Sequence, residues 1–205
     1  MPAAGKVCTG FSLPYVATYT VSSGNVTYSN GKKLARGVSV SMDVTTADDT
    51  KFYADNVMAE NVGGKFQEGS ITLTVDGLLD ASEKLIQGIT TSSVTITVGG
   101  TTSTVTVYAY DKNQSVPYVG IGYVARYLSD GVTTYVPCVV HKAKFETPKH
   151  NAETEADETI SFQTQELVAS VMRDDTTDGA WFTYGADQST EAAAEAVVKT
   201  MLSIS

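Results

Sequence analysis

The side chains able to carry out nucleophilic, metal or proton chemistry are few. The chain has two histidines, His141 and His150, and two cysteines, Cys8 and Cys138. Cys138 and His141 have C-x-x-H spacing, but an offset of three along a strand puts two side chains on opposite faces. A zinc site would have to gather both cysteines and both histidines from four separate places. A Ser–His–Asp triad would need one of the same two histidines, and no G-x-S-x-G elbow is present. His150 lies in the polar run Pro148-Lys149-His150-Asn151-Ala152. Two cysteines make no disulfide framework in a reducing compartment, so two free thiols are expected.

Paired carboxylates occur at Asp48-Asp49, Asp157-Glu158 and Asp174-Asp175. All sit in polar contexts, whereas acid catalysis usually wants one carboxyl with a raised pKa. None matches a calcium-loop pattern. Gly120-Ile121-Gly122-Tyr123-Val124-Ala125 matches the dinucleotide fingerprint G-x-G-x-x-A. That chemistry needs a helix opening at the glycines, yet the sequence runs into the Asp130-Gly131 turn with no βαβ unit around it. The alternative is a strand whose glycines admit a close neighbour. Trp181 is a possible binding aromatic, but a Trp after a turn more often serves a core or a subunit contact. These residues predict no catalytic, cofactor or metal site, and a protein that is not an enzyme.

The elements that would position such residues are β-strands. The chain of 205 residues contains 28 Thr, 25 Val and 11 Tyr but only 9 Leu. Thr, Val and Tyr suit a pleated, half-buried surface, and Leu is the usual helix filler. A hydrophobic content of 42% excludes a disordered chain. No apolar run approaches the ~20 residues of a membrane helix. The start of the sequence has no apolar signal-like stretch, which predicts a cytosolic product.

Period-two alternation marks strands over 15–21, 38–46, 51–58, 70–76, 94–98, 105–110, 118–128, 133–145 and 158–172. In the last of these, Ile160, Phe162, Thr164 and Glu166 share a face. Ser23-Gly24-Asn25 is turn chemistry, and Asn30-Gly31, Gly99-Gly100 and Asp130-Gly131 read as hairpin turns. Asp80 as N-cap, Glu83 three residues on and Gly88 beyond predict one short helix over 81–87. Ala194, Val197, Val198 and Met201 predict an amphipathic helix over 189–203. The expected fold is mainly β: an antiparallel β-sandwich or partial barrel with one short flanking helix and a C-terminal helix. Residues 1–14 read as a loose N-terminal arm, 15–186 as the β-sandwich domain and 187–205 as a C-terminal extension.

Charge is unevenly placed. Of the net −9, residues 1–145 contribute zero and residues 146–195 contribute −10. The basic footprint of a conventional nucleic-acid binder is missing.

An ordered set of weak motifs adds a family. It comprises Tyr53-Ala54-Asp55-Asn56, Gly69-Ser70-Ile71-Thr72-Leu73 and Leu85-Ile86-Gln87-Gly88. Pro117, Gly122-Tyr123, Lys142-Ala143-Lys144-Phe145-Glu146-Thr147-Pro148, Ile160-Ser161-Phe162-Gln163-Thr164 and Asp178-Gly179-Ala180-Trp181 follow. In order and spacing this set resembles the major tail protein, or tail tube protein, of long non-contractile-tailed bacteriophages (siphoviruses). The resemblance spans about residues 15–185. Gly99 to Thr104 and the Ala-rich segment after Asp187 depart from it.

The resemblance implies a structural virion protein that forms stacked homo-hexameric rings. The rings would build a tail tube made in the host cytoplasm and delivering double-stranded DNA at genome ejection. Implied partners are further copies, a tape-measure protein, and tail tip and terminator proteins; DNA passes without specific binding. Six copies giving four strands each would make a barrel with a bore of roughly 35 Å, at ~4.7 Å strand spacing and ~40° tilt. That is wide enough for a hydrated duplex. Segments 153–158 and 174–178 are candidates for an acidic bore, or equally for outer loops. Residues 1–14, the loop near 60–69 and the C-terminal helix are candidates for ring stacking. The alternatives are a β-sandwich adhesin or surface module, and another virion component such as a head-decoration or tail-terminator protein.

Overall fold

A computed structural model describes residues 5–152, 154 and 162–205. The chain runs through β1 (Val7–Ser22), β2 (Asn25–Lys33), β3 (Gly37–Thr46), β4 (Thr50–Ala54), β5 (Val57–Val62), β6 (Phe66–Val75) and α1 (Asp80–Gln87). It continues through β7 (Thr90–Val98), β8 (Thr101–Ala109), β9 (Val119–Ser129), β10 (Val132–Phe145), β11 (Gln165–Met172), β12 (Phe182–Tyr184) and α2 (Glu191–Met201). Every strand pairing is antiparallel. The fold is mainly β and sandwich-like, with two helices. Among the described residues no helix is long and apolar enough to cross a membrane.

Four hairpins explain much of the local geometry. β1–β2, β4–β5, β7–β8 and β9–β10 are each joined by a two-residue loop: Ser23-Gly24, Asp55-Asn56, Gly99-Gly100 and Asp130-Gly131. Both loop residues have positive φ in every case. That geometry matches the right-handed twist of the flanking strands and explains the Gly, Asn and Asp at these positions.

The main sheet follows the order β2-β1-β9-β10-β11-β6-β3, with β12 also paired to β10. β10 turns the corner: Val132 to Ala143 pairs with β9, and Lys142 to Phe145 pairs with β11. The strands on either side of that corner bury their facing residues in one cluster. β9 contributes Val119, Ile121, Tyr123 and Ala125, and β10 contributes Val136, Cys138 and Val140. Across the core, Val40, Leu73 and Leu167 form one cross-strand row, and Met42, Ile71 and Ala169 form the next. Helix α1 closes one end, with Ile86 fully buried in this cluster. Its Ser82 Oγ donates to the Lys33 carbonyl at 2.8 Å, and Gln87 Nε2 donates to the Glu146 carbonyl at 2.8 Å.

A second, smaller core lies on the other face of β1, β9 and β10. Tyr15, Ala17, Val124 and Val139 pack there against Ala194, Val198 and Leu202 of the α2 region. Thr190 caps α2 by accepting from the Ala193 N–H at 3.2 Å. The glycines of the dinucleotide-like motif face this helix. A Cβ on Gly120 would stand 2.7 Å from Leu202 Cδ2, and one on Gly122 would stand 2.9 Å from Leu202 Cδ1. The motif is a strand that admits a close neighbour.

Several sequence expectations change. Residues 1–14 do not form a loose arm in their described part. Val7 to Ser12 are registered on Leu128 to Val124 of β9, and Phe11 meets Tyr123 edge-on at 5.6 Å. Asn30-Gly31 is not a hairpin turn. It is a bulge inside β2, where pairing jumps from Val16↔Lys32 to Thr18↔Ser29, because the Ser23-Gly24 turn has already reversed the chain. The expected strand 51–58 is the β4–β5 hairpin, since Asp55 and Asn56 both take positive φ. Strand β11 begins at Gln165, and its buried face is Leu167, Ala169 and Val171. Phe162 is 89% exposed, and Ile160 lies outside the described residues.

The expected Asp80 cap is also displaced. Leu79 is the extended capping residue, and it makes no side-chain cap. Glu83 instead accepts from the Tyr110 hydroxyl at 2.6 Å. The Gly88 stop forms as expected, with φ 58°.

Seating α2 against glycine predicts a measurable cost for added volume. Gly122→Ala should destabilise by about 1–3 kcal/mol, the usual cost of overpacking. Leu202→Ala should cost about 2–5 kcal/mol through the cavity it leaves. Urea unfolding of the two variants against the parent checks both, and unchanged midpoints would refute the packing account.

Candidate assembly surfaces

The structure distributes the chemically able residues rather than gathering them. Cys138 points into the main core, and burial pushes its thiol up to about 11, well away from a reactive thiolate. His141 lies on the opposite face, with Nε2 2.7 Å from Thr183 Oγ1 and Nδ1 3.7 Å from Asp174 Oδ2. His150 is exposed beside Tyr110, 3.7 Å from Glu83. Cys8 is exposed on β1. Among the described residues no group of three or more His, Cys, Asp or Glu side chains could hold a metal ion.

The acidic pairs have structural partners. Asp49 accepts from Asn61 Nδ2 at 2.9 Å, bracing the base of the β4–β5 hairpin. Asp174 is buried and accepts from the backbone and hydroxyl of Thr176, so it does not serve as a bore-lining charge. Asp175 accepts from Lys142 Nζ at 2.6 Å and from the Tyr19 hydroxyl at 2.7 Å. The Lys142 ammonium also lies 5.2 Å from the Tyr19 ring centroid and 4.8 Å from that of Tyr118. Hydrogen bonds from Lys142 and Tyr19 lower the Asp175 pKa. Burial and that carboxylate raise Tyr19 to about 12. Asp157-Glu158 lies outside the described residues. Trp181 stacks on Phe66 at 4.8 Å and packs against the main core.

Among the described residues, four places present surface suited to contacts. The first is the outer face of β3, β6 and β11. Cross-strand register lays out the rows Ser39–Thr74–Glu166, Ser41–Thr72–Val168 and Asp43–Ser70–Ser170. These three strands carry Asp43, Glu68 and Glu166 and no Lys, Arg or His. The nearest base on the face is Lys144, at its β10 border. Neither helix covers this face, because α2 packs on β9, β10 and β1, and α1 sits at one end against β1, β2 and β10.

The second is the edge of the main sheet. β2, at one end, is blunted by its bulge and by Lys32 and Lys33, the usual devices against edge pairing. β3, at the other end, has regular pairing from Ser39 to Thr45 and no lysine or proline. Among the described residues, no strand pairs with its outer backbone row.

The third is a pair of two-stranded ribbons, β4–β5 and β7–β8, each a separate sheet. An isolated hairpin is marginal in water. Phe52, Tyr53, Val57, Met58 and Val62 on the first, and Val94, Ile96, Val98 and Val105 on the second, are all exposed. The fourth is a cleft of about 650 Å³ opening onto the main core, lined by Val40, Tyr123, Tyr127, Val136, Phe182 and Tyr184 among others.

The stacking segments expected from sequence are partly reassigned. The residues from Val7 are committed to the sheet, and α2 spends its apolar stripe on its own subunit. The segment near 60–69 forms the end of β5, a three-residue link and the start of β6. The sequence reading did not single out the basic-free face or the two ribbons' exposed apolar sides. A strand-by-strand tally of Lys and Arg would have found the face.

Burial depresses the His141 pKa below its ordinary value of 6.5, although Asp174 opposes the shift. The unfolded chain then binds this proton more tightly than the folded one. Stability is therefore fullest above pH 6.5 and declines as pH falls through that value towards the lower folded pKa. Chemical denaturation between pH 7.5 and 5.5 should show the decline, and His141→Gln should flatten it. An equal slope in both proteins would remove His141 as its source.

Comparison of the chain with protein-family models and with curated proteins gives no match in either.

Proposed function

We propose that this chain is a phage tail tube subunit, a virion structural protein. It forms hexameric rings that stack into a conduit for double-stranded DNA. The observation that carries the reading is the outer face of β3, β6 and β11, covered by neither helix, hydroxyl-rich and acidic with no basic residue on any of the three strands. DNA carries one negative charge per ~1.7 Å and is held by lysines and arginines through counterion release. A wall lacking them repels the duplex weakly and lets it slide. The open β3 edge supports the same reading, since ring closure is one way to remove an exposed edge.

In this reading the β3–β6–β11 face lines the bore, and the ribbons and cleft serve contacts between copies. The tape-measure, tip and terminator proteins would meet the tube inside and at its ends. The resemblance in motif order supplies the ring and tube, and the surface chemistry agrees with it.

Concentrated protein viewed by negative-stain microscopy should show hollow rods or six-fold rings. Asp43→Lys combined with Glu166→Lys should still assemble. Its tubes should retain double-stranded DNA at low salt and lose it at high salt, while parent tubes retain none. A strict monomer at every concentration and salt would defeat the reading. So would charge-reversed tubes that ignore DNA, because the face would then not line the bore.

A further inference from the structure

The β7–β8 ribbon has an unusual distribution of side chains. Its nine cross-strand pairs run without a bulge from Thr90↔Ala109 to Val98↔Thr101. One face carries Val94, Ile96, Val98, Val105, Val107 and Ala109 interspersed with Thr90, Ser92, Thr101 and Ser103; the other carries no aliphatic side chain, with Thr91, Ser93, Thr95, Thr97, Thr102, Thr104, Thr106 and Tyr108. Residues 90–109 contain no ionisable group except the Tyr108 phenol. Among the described residues, the side-chain hydrogen bonds that tie the ribbon to the rest of the chain lie at its base, where Lys84 Nζ donates to Thr91 Oγ1 and Thr90 Oγ1 donates to Asp111. Val98, at the tip, is 72% exposed. An amphipathic two-stranded ribbon of this length gains its stability by covering the apolar side.

The cleft is the matching surface. Tyr123, Ala125, Val136 and Cys138 at its floor belong to the main core. Its rim is formed by Val40, Tyr127, Phe182 and Tyr184. Among the described residues, the charged side chains lining it are Lys6 and Asp187, and they pair with each other. Burying an unpaired charge there would be costly. The β4–β5 ribbon carries Lys51, Asp55 and Glu60, whereas β7–β8 carries no formal charge at all. Aliphatic β-branched side chains against aromatic ones are also favourable pairs on a sheet surface.

We infer that the β7–β8 ribbon of one copy lays its apolar face, Ile96 and Val98 foremost, into this cleft on a second copy. The contact proposed is heterologous, the ribbon of one copy on the cleft of the next, and in that form it propagates into rings or filaments. It rests on the self-assembly part of the function proposed above but not on what the assembly conveys. The ribbon face is about 30 Å long and two strands wide, roughly 300 Å². That is well under the ~800 Å² per partner of a stable pairwise complex. A pair of copies held through it alone is therefore weak, and isolated dimers do not accumulate.

Cys8 lines the cleft and is exposed, so it reports occupancy. Val98→Cys, oxidised mildly with diamide at assembling concentration, should give a ladder of disulfide-linked chains. Adding Cys8→Ser should abolish the ladder. Thr97→Cys on the hydroxyl face and Phe52→Cys on the other ribbon should not form it. Ile96→Asp should raise the concentration needed for assembly at least tenfold in sedimentation, with an unchanged circular dichroism spectrum. A ladder that survives Cys8→Ser would mean the ribbon packs on itself. A ladder from Phe52→Cys, an absent ladder from Val98→Cys, or a parent that stays monomeric would each overturn the inference as well. Microscopy of the same samples separates the two proposals. Hollow rods without the Cys8 link sink this contact alone, and a Cys8-linked assembly that is not tubular sinks the conduit alone.

Discussion

The register of β9 is the constraint on which the rest of the fold depends. Its odd-numbered residues from Val119 to Ala125 fill the main core, while Gly120, Gly122 and Val124 meet the α2 region. A one-residue slip would put Ile121 and Tyr123 under the helix and open two gaps in the core. β9 pairs with β1 on one side and β10 on the other, so both inherit the same division into two faces. The I′ turn at Asp130-Gly131 pins one of those pairings, and the small residues opposite α2 make only one face able to accept a helix.

Once that register is set, polar groups hold what packing leaves loose. Lys142, on the outward side of β10, joins Asp175, Tyr19 and Tyr118, and so ties the segment after β11 to β1 and to the approach to β9. The Asp174 carboxylate is shielded by Thr176 and His141. An exposed ion pair adds little to stability. Lys142 differs in being largely covered and seated over two aromatic rings, which lowers its exposure to solvent screening. Polar and aromatic contacts thus converge around β10, while the two ribbons stand apart as separate two-stranded sheets.

The exposed groups also follow a pattern. One sheet face is covered by α2, and the opposite outer face is bare but polar. One sheet edge is guarded by a bulge and lysines, and the other is open. Two ribbons display apolar side chains, and one cleft displays the core. A monomer that met all its own needs would not combine these features, because open edges and apolar ribbons invite association. Under the proposed tube, they are the parts that neighbouring copies complete.

Local chemistry in the sequence determined the strand-rich class, the Gly99-Gly100 and Asp130-Gly131 hairpins, the Gly88 helix stop and the apolar stripe of α2. Each depends on residues within a few positions of one another: positive φ at a turn, or a period of two or 3.6. The long-range facts needed the tertiary structure. Residues 1–14 look like a small, polar arm by sequence alone, yet β9 pairs with five residues between Val7 and Ser12. Asn30-Gly31 has the composition of a turn, but a turn seven residues earlier made it a bulge. The glycines at 120 and 122 could serve a phosphate or a helix side chain, and only the position of Leu202 decides between them. Likewise, the separation of acids from bases across β3, β6 and β11 becomes a surface only when strands far apart in the chain lie side by side, since pairing partners are chosen by burial of the opposite face and not by neighbours in sequence.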